Sequence, residues 1–518
     1  MVPAHSHDFE FDDTERAAED VVSAALTARY TVVPDGRSRV LRRTWLDTFD
    51  WRLHRAGLTL SHVTGRGAGK LALTRGDGDP LTAPAGRLRW PAPAGAVPGG
   101  PLREQVSPVA GVRALLPVVR TVSTVSALRV CNADGKTVAW LRMERTSVTQ
   151  SVMTGLPTRL SVSAIRGYQA QADRIARLLA GTAGVEPATL PPLDAALAAA
   201  GRRAGDYTGK INIALTAAMP ARVALATVLL RLLDTLEANV AGTVRDLDTE
   251  FLHDLRIAVR RTRSALKLGG AALPGRLAGE FQGEFKWLGD ATTPTRDLDV
   301  YLLGYDSMAA KLTAATPAEL APFHDHLARH RAAEQRRLVR ALRSPRFTSL
   351  TSQWRHALTG LTPPAGGPDA AHFAAGSITR AHRRVLSAGG AITADSAPEL
   401  LHNLRKRCKE LRYALEFFAS LHDPVTHRQA VRQLKDLQDC LGTFQDCQVQ
   451  QHEIRMIASD MVESGGAQAT TLLAMGELAA RAARRESKAR RKFAGRFASF
   501  ASEKSRRRFR ALTAAGQS

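Results

Sequence analysis

The chain has 518 residues, 44% of them hydrophobic, and a formal net charge of +23 from 72 basic and 49 acidic residues. That length exceeds one compact core, and that hydrophobic content excludes wholesale disorder. A charge so far from neutral calls for a polyanionic partner (nucleic acid, an anionic membrane surface or a phosphate polymer), while 5% aromatic residues disfavour a reader of single strands by base stacking.

Residues 1–20 carry seven acidic side chains and no apolar core, so no secretory signal is expected there. Four cysteines cannot build a disulfide scaffold, which points to a reducing, cytoplasmic compartment. Six short β-rich pieces follow, at Tyr30–Val33, Leu58–Val63, Lys70–Leu73, Thr121–Val130, Thr137–Met143 and Leu160–Ile165. Gly and Pro punctuate them, most heavily from Gly76 to Pro101. Residues 183–207, with Pro187, Pro191 and Pro192, read as a linker. Beyond Thr208 the pattern becomes long Ala/Leu/Arg helices. The most apolar of these stretches, Ala221 to Leu236, is interrupted by Arg222, Arg231 and Asp234, so no membrane span is expected. The expected fold is multidomain: an α+β domain at 1–182, then an all-α domain at 208–518. The loop Thr362–Asp369 divides the latter into halves 208–361 and 370–518. Residues 1–200 hold +6 of the charge and residues 201–518 hold +17.

The helical halves repeat. His253-Asp-Leu-Arg256-Ile-Ala-Val-Arg260-Arg-Thr-Arg263-Ser-Ala-Leu266 aligns with His402-Asn-Leu-Arg405-Lys-Arg-Cys-Lys409-Glu-Leu-Arg412-Tyr-Ala-Leu415 at an offset of 149, and the same register pairs Lys286 with Lys435, Asp290 with Asp439 and Asp297 with Asp446. On a helix, the His, +3, +7 and +10 positions share an arc of about 80°. That arc carries His253, Arg256, Arg260 and Arg263, joined by Lys267, in the first copy. In the second it carries His402, Arg405, Lys409 and Arg412, with Lys406 at its edge. Leu255, Val259 and Leu266, and likewise Leu404, Cys408 and Leu415, form the core stripe beside it. A solvated helix face usually alternates signs at i,i+4 spacing; these arcs are almost purely cationic and occur twice in register, which favours a binding role.

These two motifs, the first followed by Arg296-Asp297-Leu-Asp299-Val and the second by Leu434-Lys-Asp-Leu-Gln-Asp-Cys-Leu-Gly442, resemble the two halves of a CHAD domain (conserved histidine α-helical domain) over roughly residues 215–510. The resemblance implies two four-helix bundles related by pseudo-twofold symmetry, facing a basic groove that binds inorganic polyphosphate. The groove would be lined by the arc residues together with Lys286 and Lys435, with Arg380, Arg383 and Arg384 contributing from the helix before the second motif. A phosphate polymer has regular charge and no bases, which suits guanidinium forks and ammonium groups, and its binding should weaken steeply with salt.

Asp297, Asp299 and Asp446 read as helix caps or partners of the basic arcs rather than metal ligands. His253 and His402 lack metal-ligand spacing; His324, His326 and His330 read as surface residues, and the cysteines as core. The basic stretch Arg481–Arg510, with Arg484, Arg485, Lys488, Arg490, Arg491, Lys492, Arg506, Arg507 and Arg508, is either a further polyanion tether or a solvated helix.

The segment Trp45-Leu-Asp47-Thr48-Phe-Asp50-Trp-Arg-Leu53, continuing to Gly57-Leu-Thr-Leu60, resembles CYTH (triphosphate tunnel) domains over roughly residues 5–180. The resemblance implies an antiparallel β-tunnel in which alternating carboxylates hold a divalent metal and alternating Arg and Lys hold triphosphate. Here the opening acidic run keeps Asp8, Glu10 and Asp12 but lacks the lysine. The expected basic pair falls on Leu60-Ser61-His62-Val63, and the late acidic pair on Leu160-Ser161-Val162-Ser163. Arg75, Arg120 and Arg142 could hold an anion weakly. Catalysis is therefore expected to be lost, and with it any cofactor; a divalent metal would be needed only by an active tunnel. The expected function is polyphosphate binding in the cytoplasm, at polyphosphate granules where these form. The alternatives are an active metal-dependent triphosphatase or polyphosphatase, and a non-specific nucleic-acid binder.

Overall fold

The computed structural model describes residues 6–11, 18–65, 67–76, 78, 80–86, 88–149, 153–270, 272–362, 364 and 366–514; Asp12 of the opening acidic run lies outside them. The chain divides into two compact units, Met1–Gly209 and Lys210–Ser518.

In chain order the first unit holds β1 (Ser6–Phe11), α1 (Ala18–Leu26), β2 (Thr31–Pro34), β3 (Arg39–Asp47), α2 (Arg52–Arg55), β4 (Leu58–Thr64), β5 (Lys70–Arg75), β6 (Leu81–Pro84) and β7 (Ala92–Pro93). It continues through α3 (Pro101–Ala110), β8 (Ala114–Cys131), β9 (Thr137–Thr149), β10 (Met153–Gly155), β11 (Thr158–Ala164), α4 (Gln169–Ala180), β12 (Glu186–Pro187) and α5 (Pro192–Ala199). All six expected β-rich pieces are strands. The strands form one antiparallel sheet in the order β12-β1-β11-β9-β8-β3-β4-β5-β6, with β10 on β9 and with β2 and β7 on β8.

Period-2 alternation gives this sheet its layers. Phe9, Leu141, Met143, Leu160 and Val162 pack against Val22 and Leu26 of α1 and Ile175 and Leu179 of α4. Leu46, Leu58, Leu60, Leu71 and Leu73 pack against Leu102 and Val106 of α3. The Trp45–Leu53 motif is a buried turn in which Asp47 accepts bonds from the backbone N–H groups of Thr48, Leu53 and His54, capping α2. Residues 183–207 differ from a bare linker, because β12 joins the sheet edge and α5 buries Leu193, Ala196 and Leu197 against Trp45 and Trp51. The Trp51 indole N–H donates to Asp206 at 2.8 Å and Arg202 donates to the Val118 carbonyl at 2.9 Å, fastening this segment to the first unit.

The second unit is all helical: α6 (Ala221–Val244), α7 (Thr249–Gly269), α8 (Gly275–Ala309), α9 (Ala321–Leu342) and α10 (Pro345–Thr359), then α11 (Ala370–Gly390), α12 (Pro398–Phe417), α13 (Pro424–Glu463), α14 (Ala469–Phe500) and α15 (Glu503–Ala514). Helices α6, α7 and α8 begin 149 residues before α11, α12 and α13, the spacing of the repeated motif. Each half adds a shorter fifth helix to the four expected. Trp354 of α10 is buried against Phe281 and Phe285 of α8 at 4.6 and 5.5 Å between ring centroids, and Phe509 and Leu512 of α15 fill the second core.

The halves meet through equivalent positions, the signature of a twofold relation. The Ala221 N–H donates to the Pro368 carbonyl at 3.0 Å, and the Ala370 N–H donates to the Met219 carbonyl at 2.7 Å. Between α7 and α12, Arg261 pairs with Glu416 at 2.7 Å and Lys267 pairs with Glu410. Positions 261 and 267 correspond to 410 and 416, so these two ion pairs are also reciprocal.

Candidate anion-binding site

Helices α7 and α12 bury their apolar stripes as the periodicity requires: Leu255, Val259 and Leu266 on one, Leu404, Cys408 and Leu415 on the other. The neighbouring stripes then meet at the seam between the halves. A cleft of about 560 Å³ opens there, lined by His253, Arg260 and Arg261 of α7, Arg405, Lys409, Arg412 and Glu416 of α12, and Gln438, Asp439, Thr443 and Asp446 of α13. Lys409 sits where the cations are densest. Its own burial, with Arg405 and Arg260 alongside, pushes the ammonium down to about 8 against the pull of Asp446. Burial and the Arg296 guanidinium likewise hold His253 below the ordinary histidine range.

The expected groove residues thus separate into groups. His253, Arg260, Arg405, Lys409 and Arg412 share the cleft. Lys267, Arg380 and Arg384 line a different cavity, also about 560 Å³, with Ser264, His372 and Glu410; Tyr413 borders both. Arg256 turns toward α8, donating to Thr293 Oγ1 at 2.7 Å and Thr292 Oγ1 at 3.2 Å beside Pro294, whose missing N–H loosens that turn. Arg263 lies over Gly289, and its counterpart Arg412 reaches Gln438, the residue corresponding to Gly289, at 3.4 Å. Lys286 pairs with Asp290 on its own helix at 3.2 Å. His402 donates through Nδ1 to Gln445 Oε1 at 2.7 Å, and Lys406, Arg383 and Lys435 are exposed without lining either cavity.

The acidic residues act as partners within helices rather than as caps. Asp446 lies 3.3 Å from Arg405, and buried Asp299 accepts from Arg331 of α9 at 2.9 Å. The basic stretch near the C-terminus also divides. Arg490 donates to the Ala394 carbonyl at 2.7 Å, whereas Arg485, Lys488, Lys492 and Arg496 of α14 line a cleft of about 400 Å³ against Asp436, Asp439 and Thr443 of α13. Asp439 and Thr443 border both this cleft and the α7–α12 one. Cys131, Cys408 and Cys447 are buried, and burial pushes the Cys408 thiol up to about 12. His326, expected at the surface, is 4% exposed because α9 turns it inward onto α13.

The first unit has a charged pocket of its own, about 270 Å³, on the sheet face opposite α1 and α4. Register places Glu10, Arg159 and Glu144 side by side on β1, β11 and β9, with Asp8, Ser161 and Arg142 in the next row. Arg159 lies 3.4 Å from Asp8 and 3.7 Å from Glu10, while Arg43 and Arg142 reach Glu144 at 3.4 and 3.0 Å. Burial opposes ionisation of Glu144, but Arg43, Arg142 and a bond from Ser123 outweigh it and hold the carboxyl below its ordinary range. Ser61 pairs with Trp45 and shares this face, and α5 closes one side. Arg75 and Arg120 are exposed and do not line the pocket.

Residues 227–455 match the CHAD domain family. This segment is a CHAD domain. No curated protein matches the chain. Among solved structures, the CHAD domain from the plant Ricinus communis is similar at 27% identity and a TM-score of 0.47, covering 55% of this chain and 94% of that one. PptA from Streptomyces chartreusis is similar at 16% identity and a TM-score of 0.44, covering 54% and 99%. A putative adenylyl cyclase from Hippeastrum, described as having a dominant triphosphatase activity, is similar at 10% identity and a TM-score of 0.26, covering 38% and 95%.

Within the CHAD domain, the sequence pattern singles out the cationic arc but not Arg261 and Glu410, which lie off it, nor Glu416, an acid at the arc position that Lys267 holds in the first copy. Applying the 149-residue offset to Arg261 and Lys267 lands on Glu410 and Glu416, and that opposition of sign is the signal by which the seam could have been found. The α14 cations lie beyond the matched segment.

Proposed function

We propose that the CHAD domain binds inorganic polyphosphate in the α7–α12 cleft, and that the chain of phosphates continues over Asp439 and Thr443 onto the α14 cations. The observation that carries this reading is Lys409. An ammonium pushed down to about 8 by its own burial, with the Arg405 and Arg260 guanidiniums adding to the effect, occupies a site short of negative charge, and a bound anion would supply it. Arg405 and Arg412 present guanidinium forks at the same cleft, suited to phosphate oxygens and offering nothing that reads a base. Titration with long-chain polyphosphate, in competition with duplex DNA at physiological salt, tests it. Arg405→Glu with Arg412→Glu should weaken polyphosphate binding about 100-fold or more and flatten its salt dependence. Unchanged affinity in that variant would remove the cleft from the reading, and equal competition by DNA would replace it with non-specific polyanion binding.

For the first unit the proposal is a tunnel-like fold without metal-dependent triphosphatase activity. Asp8, Glu10 and Glu144 each have a guanidinium within 3.7 Å, so the carboxylates that a divalent ion would need are already neutralised. The donor set does not fit such an ion. Serines stand at position 61, where the resemblance expects part of a basic pair, and at positions 161 and 163, where it expects acids.

A further inference from the structure

We propose a transition-metal site, built from His326, His330 and Asp460, that ties the first helical half to the second. His326 and His330 stand one turn apart on α9, their ring centroids 4.1 Å from each other. Both Nε2 atoms face the same carboxylate oxygen of Asp460 on α13, at 3.1 and 3.6 Å. In a tetrahedral zinc site, metal–ligand bonds of about 2.0–2.1 Å set neighbouring donor atoms roughly 3.3–3.4 Å apart, so both carboxylate–imidazole approaches already stand near ligand spacing, and the three donor atoms all lie within 4.8 Å of one another.

The second observation is the state of His326. Its side chain is 5% exposed and its Nε2, although within ion-pair distance of Asp460, has no hydrogen-bond partner. The 3.1 Å approach therefore lacks hydrogen-bond geometry, and a buried ring nitrogen is left aimed at the gap among the three groups. A cation there would satisfy that nitrogen and draw the carboxylate and both imidazoles together. Two imidazoles and one carboxylate suit zinc, cobalt or nickel rather than calcium or magnesium, with solvent in the fourth position.

The place fits a staple. Phe323 and Leu327 of α9 pack on Ile454 and Met461 of α13 and on Met475 and Leu478 of α14, so the site borders an apolar cluster shared by both halves. It is also built once. The positions corresponding to His326, His330 and Asp460 in the repeat carry Met475, Ala479 and Lys311, so this site is independent of the duplicated cationic arcs.

The test is a titration of the EDTA-treated full chain with cobalt chloride, followed by displacement with zinc chloride. His330→Ala and Asp460→Asn are suitable variants because both side chains are about half exposed and tolerate change. The wild type should bind one equivalent with the visible spectrum of four-coordinate cobalt, and zinc should raise its unfolding temperature. Each variant should lose affinity by roughly tenfold or more and lose the thermal shift. Absence of a one-equivalent site in the wild type, or an unchanged spectrum and affinity in both variants, overturns the proposal.

Discussion

The sheet pocket of the first unit and the α7–α12 cleft of the CHAD domain are both lined with arginine, and they treat its charge in opposite ways. In the pocket, Arg43, Arg142 and Arg159 are matched by Glu144, Asp8 and Glu10, and Glu144 stays ionised in spite of its burial. In the cleft, Arg260, Arg261, Arg405, Lys409 and Arg412 face three carboxylates, Arg405 and Arg412 being paired with Asp446 and Glu416, and burial with Arg405 and Arg260 alongside makes Lys409 give up its proton more easily. Counting basic residues would rank the two sites together. What separates them is how far the charge is answered from within: one for one in the pocket, with basic groups in excess in the cleft.

Breaking the balance in the pocket should have the largest effect. Glu144→Gln leaves Arg43 and Arg142 without their carboxylate partner in a mostly buried site and should destabilise the first unit by about 2–3 kcal/mol, read by denaturant unfolding. Because the folded Glu144 pKa is depressed, its contribution is present above the unfolded value and fades as pH falls through the folded one. Wild type should therefore lose stability in acid more steeply than the variant. An E144Q protein as stable as wild type would mean that the pocket's charges do not hold one another.

The cleft should show its deficit as a pH dependence of intermediate size. Free Lys409 loses its proton near pH 8, and a bound polyanion favours the charged form. Binding should then take up protons on the alkaline side of pH 8 and weaken by roughly tenfold toward pH 9.5. Calorimetry in buffers of different ionisation enthalpy reads the uptake, and Lys409→Met should abolish it. The smallest effect belongs to Asp439→Asn. It removes an acid that borders both the α7–α12 and α13–α14 clefts, and should tighten polyphosphate binding by about two- to fivefold. Weaker binding in D439N would assign Asp439 a positioning role and contradict the picture of unanswered charge.

Periodicity and repetition made much of this molecule legible in advance. β-rich composition bounded by Gly and Pro marked six strands, and the 149-residue register in the motif reappears in the starting points of three helix pairs. Both signals are local or self-similar, so they survive in a bare sequence. Partnerships between distant residues do not. Glu144 and Arg159 become neighbours through strand register, and α5 belongs to the first unit because Leu193 and Leu197 find Trp45 and Trp51. Asp460 reaches the α9 histidines only once the long helices are packed, and so His326 read as a surface residue. The cationic arc itself was visible, but Arg256 leaves it for the turn beside Pro294 and Lys267 leaves it for Glu410.

The crossed pairs Arg261–Glu416 and Lys267–Glu410 carry a consequence for the history of the duplication. Two copies of the first half, brought together about the same axis, would set arginine against lysine twice. Two copies of the second would set glutamate against glutamate. Each half is thus matched in charge to the other rather than to a copy of itself, as in a heterodimer whose two subunits happen to share one chain. Fusion makes such an arrangement tolerable, because the matching half is always present on the same chain.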